Sequence, residues 1–478
     1  MEVWMLQRTL STLGISESES EGYMYYMNDP STPNLQKKAQ LPMQVYLPFS
    51  VQGFHPEITG KDLQNSQRRA IGCYITIGNS INYFQEQHSM FNPPIHKWAM
   101  GGNLKIVPEA GKKHLNAYYD RGSLKFFYDI DPITKQTIYT SDSADIVSHE
   151  LGHAILDSIR PDLWSMQSIE VWGFHEAFSD INAILSIMQH EEILNKLVDV
   201  DLNKSNIASR LAEQMGLTIY NVTKKQKGRS PLYLRDAANR FDYENPINLP
   251  TEGNPDELLA ECHSFGLVFL GAWYEIMIRI FKSLEGNGVE SLKAARDAAA
   301  RCLYKSLKVV PKAVKFTEAI AETMMAVDRS EGGNYVEIMK SVFTERNIIT
   351  PKIKMLSGKK WSDVKKFIRK NDAIISHKNG LIVRCERENN LIKLSDRTIR
   401  SLGASNEIFD LGVEIPNESY YEFDQHGNLV NEINNDEDEA IESAMVCAQM
   451  IYDEGHLGSG DDTMWEIFEN KLIRTFIE

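Results

Sequence analysis

The chain has 478 residues, 42% of them apolar and 24% charged, with a formal net charge of −15. Length and apolar share describe an ordinary globular chain with room for roughly three structural units, and the acidic balance excludes a surface built to hold nucleic acid. No run of 18 or more apolar residues is present, so no membrane span is expected. The nearest candidate, 264–281, is interrupted by Glu275 and Arg279 and reads as a buried helix.

The first part, residues 1–58, is mixed. A short helix is expected over 3–13, then a Ser/Glu-rich stretch at 17–21 and a turn cluster at Asn28-Asp29-Pro30-Ser31-Thr32-Pro33. The N-terminus has no basic start, apolar core or small-residue cleavage site, so no secretory signal is expected. That implies a cytoplasmic protein, or one exported by a route needing no N-terminal signal peptide.

The second part, 59–150, opens with a helix over 63–87 bearing Ile71, Tyr74, Ile75, Ile77, Ile81 and Phe84. Strands are expected around 104–107, 116–119 and 124–128. The third part, 151–345, reads as helical over 175–189, 191–199, 263–283, 289–307, 314–327 and 335–345. The fourth, 346–478, opens with a solvated lysine run (Lys352, Lys354, Lys359, Lys360, Lys365 and Lys366). Strands at 373–376 and 381–387 flank a hairpin signal, Lys378-Asn379-Gly380. The acids at 435–439 suit the first turn of a helix reaching about Asp453, and Asp461-Asp462 is too little for a calcium loop. The five cysteines, Cys73, Cys262, Cys302, Cys385 and Cys447, are few and odd in number. They are expected as free buried thiols in a reducing compartment.

The chemistry concentrates between the second and third parts. His149-Glu150-Leu151-Gly152-His153 is an HExxH motif. Around it Ala144, Ile146, Val147, Ala154, Ile155 and Ile159 form an apolar helix that Pro161 stops after Arg160. Positions i and i+4 share a helix face, so His149 and His153 can aim at one point. Glu150 lies beside them, where it can reach a water on a metal ion. Twenty-three residues after His153, Glu176 in His175-Glu176-Ala177-Phe178-Ser179-Asp180 can add an oxygen ligand from a second helix. Two His and one Glu leave one position of a zinc ion open to water, the mark of a catalytic site. Asp180, four residues on, can take the N–H of a bound imidazole. His175 reads as a polar residue at the start of that second helix.

With these two motifs the chain resembles the thermolysin family of zinc metallopeptidases, in the gluzincin group. Further islands carry the resemblance over roughly 60–345: Asn116-Ala117-Tyr118-Tyr119, Leu234-Arg235, and His263 in Cys262-His263-Ser264-Phe265-Gly266. The resemblance implies an α+β fold: a two-lobed thermolysin-like catalytic unit, mostly β in its N-terminal half and α-helical in its C-terminal half, with a cleft between. A small α+β C-terminal domain of unknown role follows. It implies one catalytic Zn2+ on His149, His153 and Glu176, with Glu150 as general base, His263 as transition-state donor and Asp180 behind the zinc. Asn116 and Ala117 would form the edge strand that holds the substrate, and Arg235 would bind a substrate carbonyl. Ile146 and Leu234 would line the pocket for a bulky apolar residue after the scissile bond.

Departures from the family pattern set further expectations. Trp164 stands where the family has a tyrosine, eleven residues after His153: an indole N–H could donate or the ring could be a substrate-binding wall of the cleft, and oxyanion stabilisation leans more on His263. Leu258 replaces the usual acidic partner of the histidine, leaving Glu257 and Glu261 as substitutes. Asp145 fits one acid of the family's double calcium site, but Ile187 occupies another, so no double calcium site is carried over. The expected activity is zinc-dependent endopeptidase hydrolysis of a protein or peptide substrate. The alternatives are a zinc aminopeptidase, for which no glycine-rich Met-Glu-Asn motif is present, and a catalytically weak peptidase-fold binding module. The oligomeric state stays open.

Overall fold

The computed structural model describes residues 22–32, 34–42, 45–54, 64–89, 95–112, 115–223, 229–286, 288–350, 358–370, 372–387, 390–393, 412–415, 417–453, 465–468 and 471–474. The helix expected at 3–13, the stretch at 17–21, Pro33, Leu63, Lys352, Lys354 and the Asp461-Asp462 pair lie outside the described residues.

The strands β1 (Tyr23–Tyr26) and β2 (Gln36–Ala39) pair antiparallel. In the turn that joins them Asp29 accepts from the N–H and hydroxyl of Ser31. The strand β3 (Phe49–Val51) and the 25-residue helix α1 (Asn65–Ser89) precede β4 (Leu104–Lys112), β5 (Ala117–Tyr119), β6 (Ser123–Ile130) and β7 (Thr137–Tyr139). The sheet order is β3-β4-β6-β5, with β7 also on β6; β3, β4 and β6 run parallel, and β5 is an antiparallel edge. Its buried side chains, Leu104, Ile106, Leu124 and Phe126, join Ile71, Ile75, Ile81 and Phe84 of α1 in one core.

That core continues through the helices α2 (Ala144–Ile159), α3 (Ile169–Ile187) and α4 (Glu191–Leu197). The short antiparallel pair β8 (Arg210–Leu211) and β9 (Arg235–Asp236) brackets α5 (Glu213–Val222). Four helices follow: α6 (Cys262–Ser283), α7 (Val289–Val309), α8 (Phe316–Glu331) and α9 (Val336–Glu345). The fold is thus mixed α+β. Among the described residues α6 is the one helix long and apolar enough to cross a membrane. Here it is a core helix, with Val268, Leu270, Ala272, Trp273, Ile276 and Met277 fully buried.

Two glycines set how closely the central helices approach. A Cβ on Gly152, inside the HExxH motif, would meet the Cα of Ser179 at 2.6 Å. One on Gly266 would meet the carbonyl oxygen of Gly173 at 2.7 Å and the Cβ of Glu176 at 3.1 Å. Contacts that short do not occur between real side chains, so both positions need glycine for α2 and α6 to lie against α3. The helix α3 starts at Ile169, six residues before the expected start. His175 is therefore not a helix-start residue but an interior one, fully buried, with its ring stacked 6.0 Å from that of His153. Gly173 lies within the helix at its contact with α6.

In the C-terminal part a single helical turn, Trp361–Val364, precedes β10 (Ala373–His377), β11 (Gly380–Cys385), β12 (Asn390–Lys393), β13 (Gly412–Ile415), β14 (Ser419–Asp424) and β15 (Leu429–Ile433). The order β10-β11-β14-β15 is a fully antiparallel sheet, and Lys378-Asn379 form the two-residue turn between β10 and β11. The helix α10 (Glu437–Asp453) and the pair β16 (Trp465–Phe468) and β17 (Lys471–Arg474) follow. This part has a small core of its own around Val364, Val383, Phe423 and Leu429. It also shares one with the helices before it, where Ile382 and Tyr420 pack on Val309, Ala326 and Val327. Across the same boundary Arg329 grips Glu422 through two bonds of 2.8 and 2.9 Å.

Candidate metal centre

Donor atoms of three residues converge between α2 and α3. His149 Nε2 and His153 Nε2 are 3.2 Å apart. Glu176 Oε2 is 3.4 Å from the first and Glu176 Oε1 3.6 Å from the second. Ligands about 2.0–2.2 Å from a tetrahedral zinc ion are about 3.3 Å apart, so the triangle already has the size of three such ligands. Both Glu176 oxygens are buried without a hydrogen-bond partner. Facing imidazole nitrogens and unpaired buried carboxylate oxygens are unfavourable unless a cation joins them. His149, His153 and Glu176 could therefore hold a metal ion.

The shell behind them is built from β9 and α3. Asp180 Oδ1 lies 2.7 Å from His149 Nδ1, and the Arg235 guanidinium holds Asp180 through two bonds of 2.8 Å. Asp180 thus fixes the His149 ring so that Nε2 faces the centre. Burial opposes charge on His149, but Asp180 and Glu176 raise its pKa to about 9 when no ion is present. Burial also works to raise Glu176, yet His263 and His153 hold it well below the usual carboxylate range.

Glu150 is 3% exposed, and its Oε2 has no hydrogen-bond partner. Burial, opposed by His149, raises its pKa to about 8. His263 is the second residue of α6, and its Nε2 lies 3.5 Å from Glu176 Oε2. Glu261 is the N-cap of that helix: its carboxylate accepts the backbone N–H of His263 and of Ser264, each at 2.9 Å. The same carboxylate lies 2.6 Å from His263 Nδ1. Of the two acids the sequence offered as partners, Glu261 makes this contact.

A cavity of about 380 Å³ lies over the centre. Of the residues expected at the site, Asn116, Ala117, Ile146, His149, Glu150, Asp180, Leu234, Arg235 and His263 line it. His153 and Glu176 sit beneath. Leu211, Ala212 and Met215 complete an apolar wall with Ile146 and Leu234; they come from β8 and α5, elements that the sequence reading left unassigned. Asp145, which accepts the N–H of Ala212 at 2.7 Å, pulls that wall onto the start of α2.

Trp164 is not brought to the cavity. It is 3% exposed in the core, edge-on to Tyr119 at 5.6 Å and under the Arg121 guanidinium at 5.0 Å. Arg121 is itself pinned by two bonds to Asp157 of α2.

No protein-family model matches the chain, and no curated protein matches it. Among solved structures, the precursor of protealysin, a metalloproteinase from Serratia proteamaculans, aligns with a TM-score of 0.42 at 14% identity, covering 66% of this chain and 90% of that one.

Proposed function

We propose that this chain is a zinc-dependent endopeptidase that hydrolyses protein or peptide chains before bulky apolar residues. The observation that carries the reading is the His149, His153 and Glu176 triangle, with its two unpaired carboxylate oxygens, at the floor of a cleft lined by Glu150 and His263. An ion held there supplies Lewis acidity, polarising a carbonyl and lowering the pKa of water toward about 7.

The chain's own residues do the rest. Glu150 takes the proton of the attacking water and returns it to the leaving nitrogen. Its burial favours a carboxylate able to hold that proton between the two steps. His263, steadied by Glu261, donates to the developing oxyanion. An extended peptide would pair along the edge strand β5. Ile146, Leu211, Met215 and Leu234 exclude water around an apolar side chain. Arg235 is bound to Asp180 on one side, so its first role is to brace the His149 partner.

N-blocked peptides of random sequence test the reading. The wild-type chain should cut them internally, before Leu, Ile or Phe. Glu150→Gln should keep its metal and lose about 10²–10⁴-fold in rate or more. Cleavage that survives Glu150→Gln, or that requires a free amino terminus, contradicts it.

A further inference from the structure

A second cavity, of about 350 Å³, lies against the turn Thr140–Asp142 that leads into α2. It shares no lining residue with the cleft over the metal centre. Its walls come from β1, from the first half of α1 and from β7.

Arg69 of α1 lines this cavity and is 7% exposed. Its guanidinium lies over the Tyr139 ring, with Cζ 3.5 Å from the centroid. Nη1 donates to the Asn65 carbonyl at 3.0 Å. Nε is buried and makes no hydrogen bond. Asp142 Oδ1 is 3.6 Å from that Nε, and Glu109 Oε1 is 3.7 Å from Nη1, both too far for a hydrogen bond. No described residue donates a hydrogen bond to the Asp142 carboxylate, whose side chain is 32% exposed. A buried guanidinium N–H and a carboxylate thus stand side by side, each still short of a partner. Leaving such a donor unmet is unfavourable, so the pair favours a ligand that meets both.

The signs of the charges select the ligand. Arg68 is a second guanidinium on the cavity wall. A plain anion there would face the Asp142 carboxylate, and a plain cation would face two guanidinium groups. An α-amino acid carries both signs on one carbon. Its carboxylate can accept from Arg69 Nε while its ammonium donates to Asp142, both as charge-assisted bonds. Met24, Tyr26 and Tyr139 line the space beyond that pair, which suits a large apolar or aromatic side chain.

We propose that this cavity binds a free α-amino acid with a large apolar or aromatic side chain, read at its head group by Arg69 and Asp142. Binding is non-covalent. It ties α1 to the turn that starts the helix carrying His149 and His153. The site does not rest on the peptidase reading, and its detection requires no turnover.

The test is calorimetric titration of the zinc-loaded full chain with L-phenylalanine. One molecule should bind per chain. 3-Phenylpropionate, which lacks the ammonium, and phenethylamine, which lacks the carboxylate, should each bind about tenfold more weakly or worse. Asp142→Asn and Arg69→Lys should each weaken L-phenylalanine by about the same factor, since lysine keeps the charge but not the Nε–H. Thr137→Trp, at an exposed strand position on the cavity wall, should block binding without altering the buried pair, and it serves if the other variants do not fold. His149→Ala should keep the binding, which separates this cavity from chelation of L-phenylalanine to zinc. No binding, equal binding of 3-phenylpropionate, binding unchanged in Thr137→Trp, or binding lost in His149→Ala would each overturn the proposal and leave the metal centre untouched.

Discussion

Asp180 carries no chemistry of its own, yet it touches both His149 and Arg235. Removing its carboxylate leaves the His149 ring free to turn and the Arg235 charge beside the metal ligands. Asp180→Ala should weaken zinc affinity by roughly 10–100-fold, measured by competition with a chelator; unchanged affinity would mean that Arg235 alone orients the ring. Trp164 makes the opposite case. Its ring is packed among Tyr119, His175 and Arg121, so Trp164→Phe should cost about 0.5–3 kcal/mol of stability and leave turnover per folded chain near the wild-type value. A large fall in turnover with unchanged stability would return the indole to the oxyanion.

The difference between the two residues shows what the sequence carries at this scale. His149, His153, Glu176 and Asp180 are legible because helical spacing fixes their directions: each pair is four apart on one helix. Trp164 is reached only across the turn at Pro161, where counting residues fixes no direction. The role of Glu261 has a sequence signal in hindsight, an acid two residues before a helix-start histidine, which suits an N-cap.

At the scale of elements, α3 is the hub. Its first turn supplies Glu170, which accepts the N–H of Thr317 at the start of α8 and the hydroxyl of Tyr243. Burial raises Glu170 to about 7, against the bonds it accepts. Its folded pKa thus lies above the unfolded value of about 4.3. The stabilisation linked to its proton is complete below about pH 4.3 and is lost as pH rises through about 7. Glu170→Gln cannot titrate, so its melting temperature relative to wild type should rise between pH 5 and pH 8. A difference that does not change with pH would place the Glu170 pKa near its ordinary value. The sequence reading starts α3 at the motif itself, at 175, whereas the helix begins at Ile169 and Gly173 within it lets α6 approach. The helix α5 escapes because Gly216 interrupts a short apolar pattern. A Cβ there would meet the Tyr233 backbone carbon at 2.3 Å, so this glycine too is a packing residue.

Across the whole molecule, the C-terminal part is tied to the helices around the candidate metal centre at several points. Cys447 of α10 is buried with Ile169 and Trp172 of α3 and with Cys262 and Phe265 of α6, in one apolar cluster. Asn435 accepts from the N–H of Val314 and donates to the carbonyl of Lys312, and Lys315 pairs with Glu439 at 2.6 Å. The Cys447 cluster reaches the first turns of the two helices that carry Glu176 and His263, and the Asn435 and Lys315 contacts reach the start of α8. The sequence shows this part only as hairpin and helix patterns, because contacts between distant segments leave no periodic trace in either one.

Hydrolysis by this chain requires one ion at His149, His153 and Glu176 if the proposed function holds, and returning zinc to the metal-stripped chain tests that most directly. Cleavage of an N-blocked peptide should be absent without metal, rise in proportion to added zinc, and peak at one ion per chain. Cleavage by the stripped chain, or no cleavage at any zinc ratio, would contradict it.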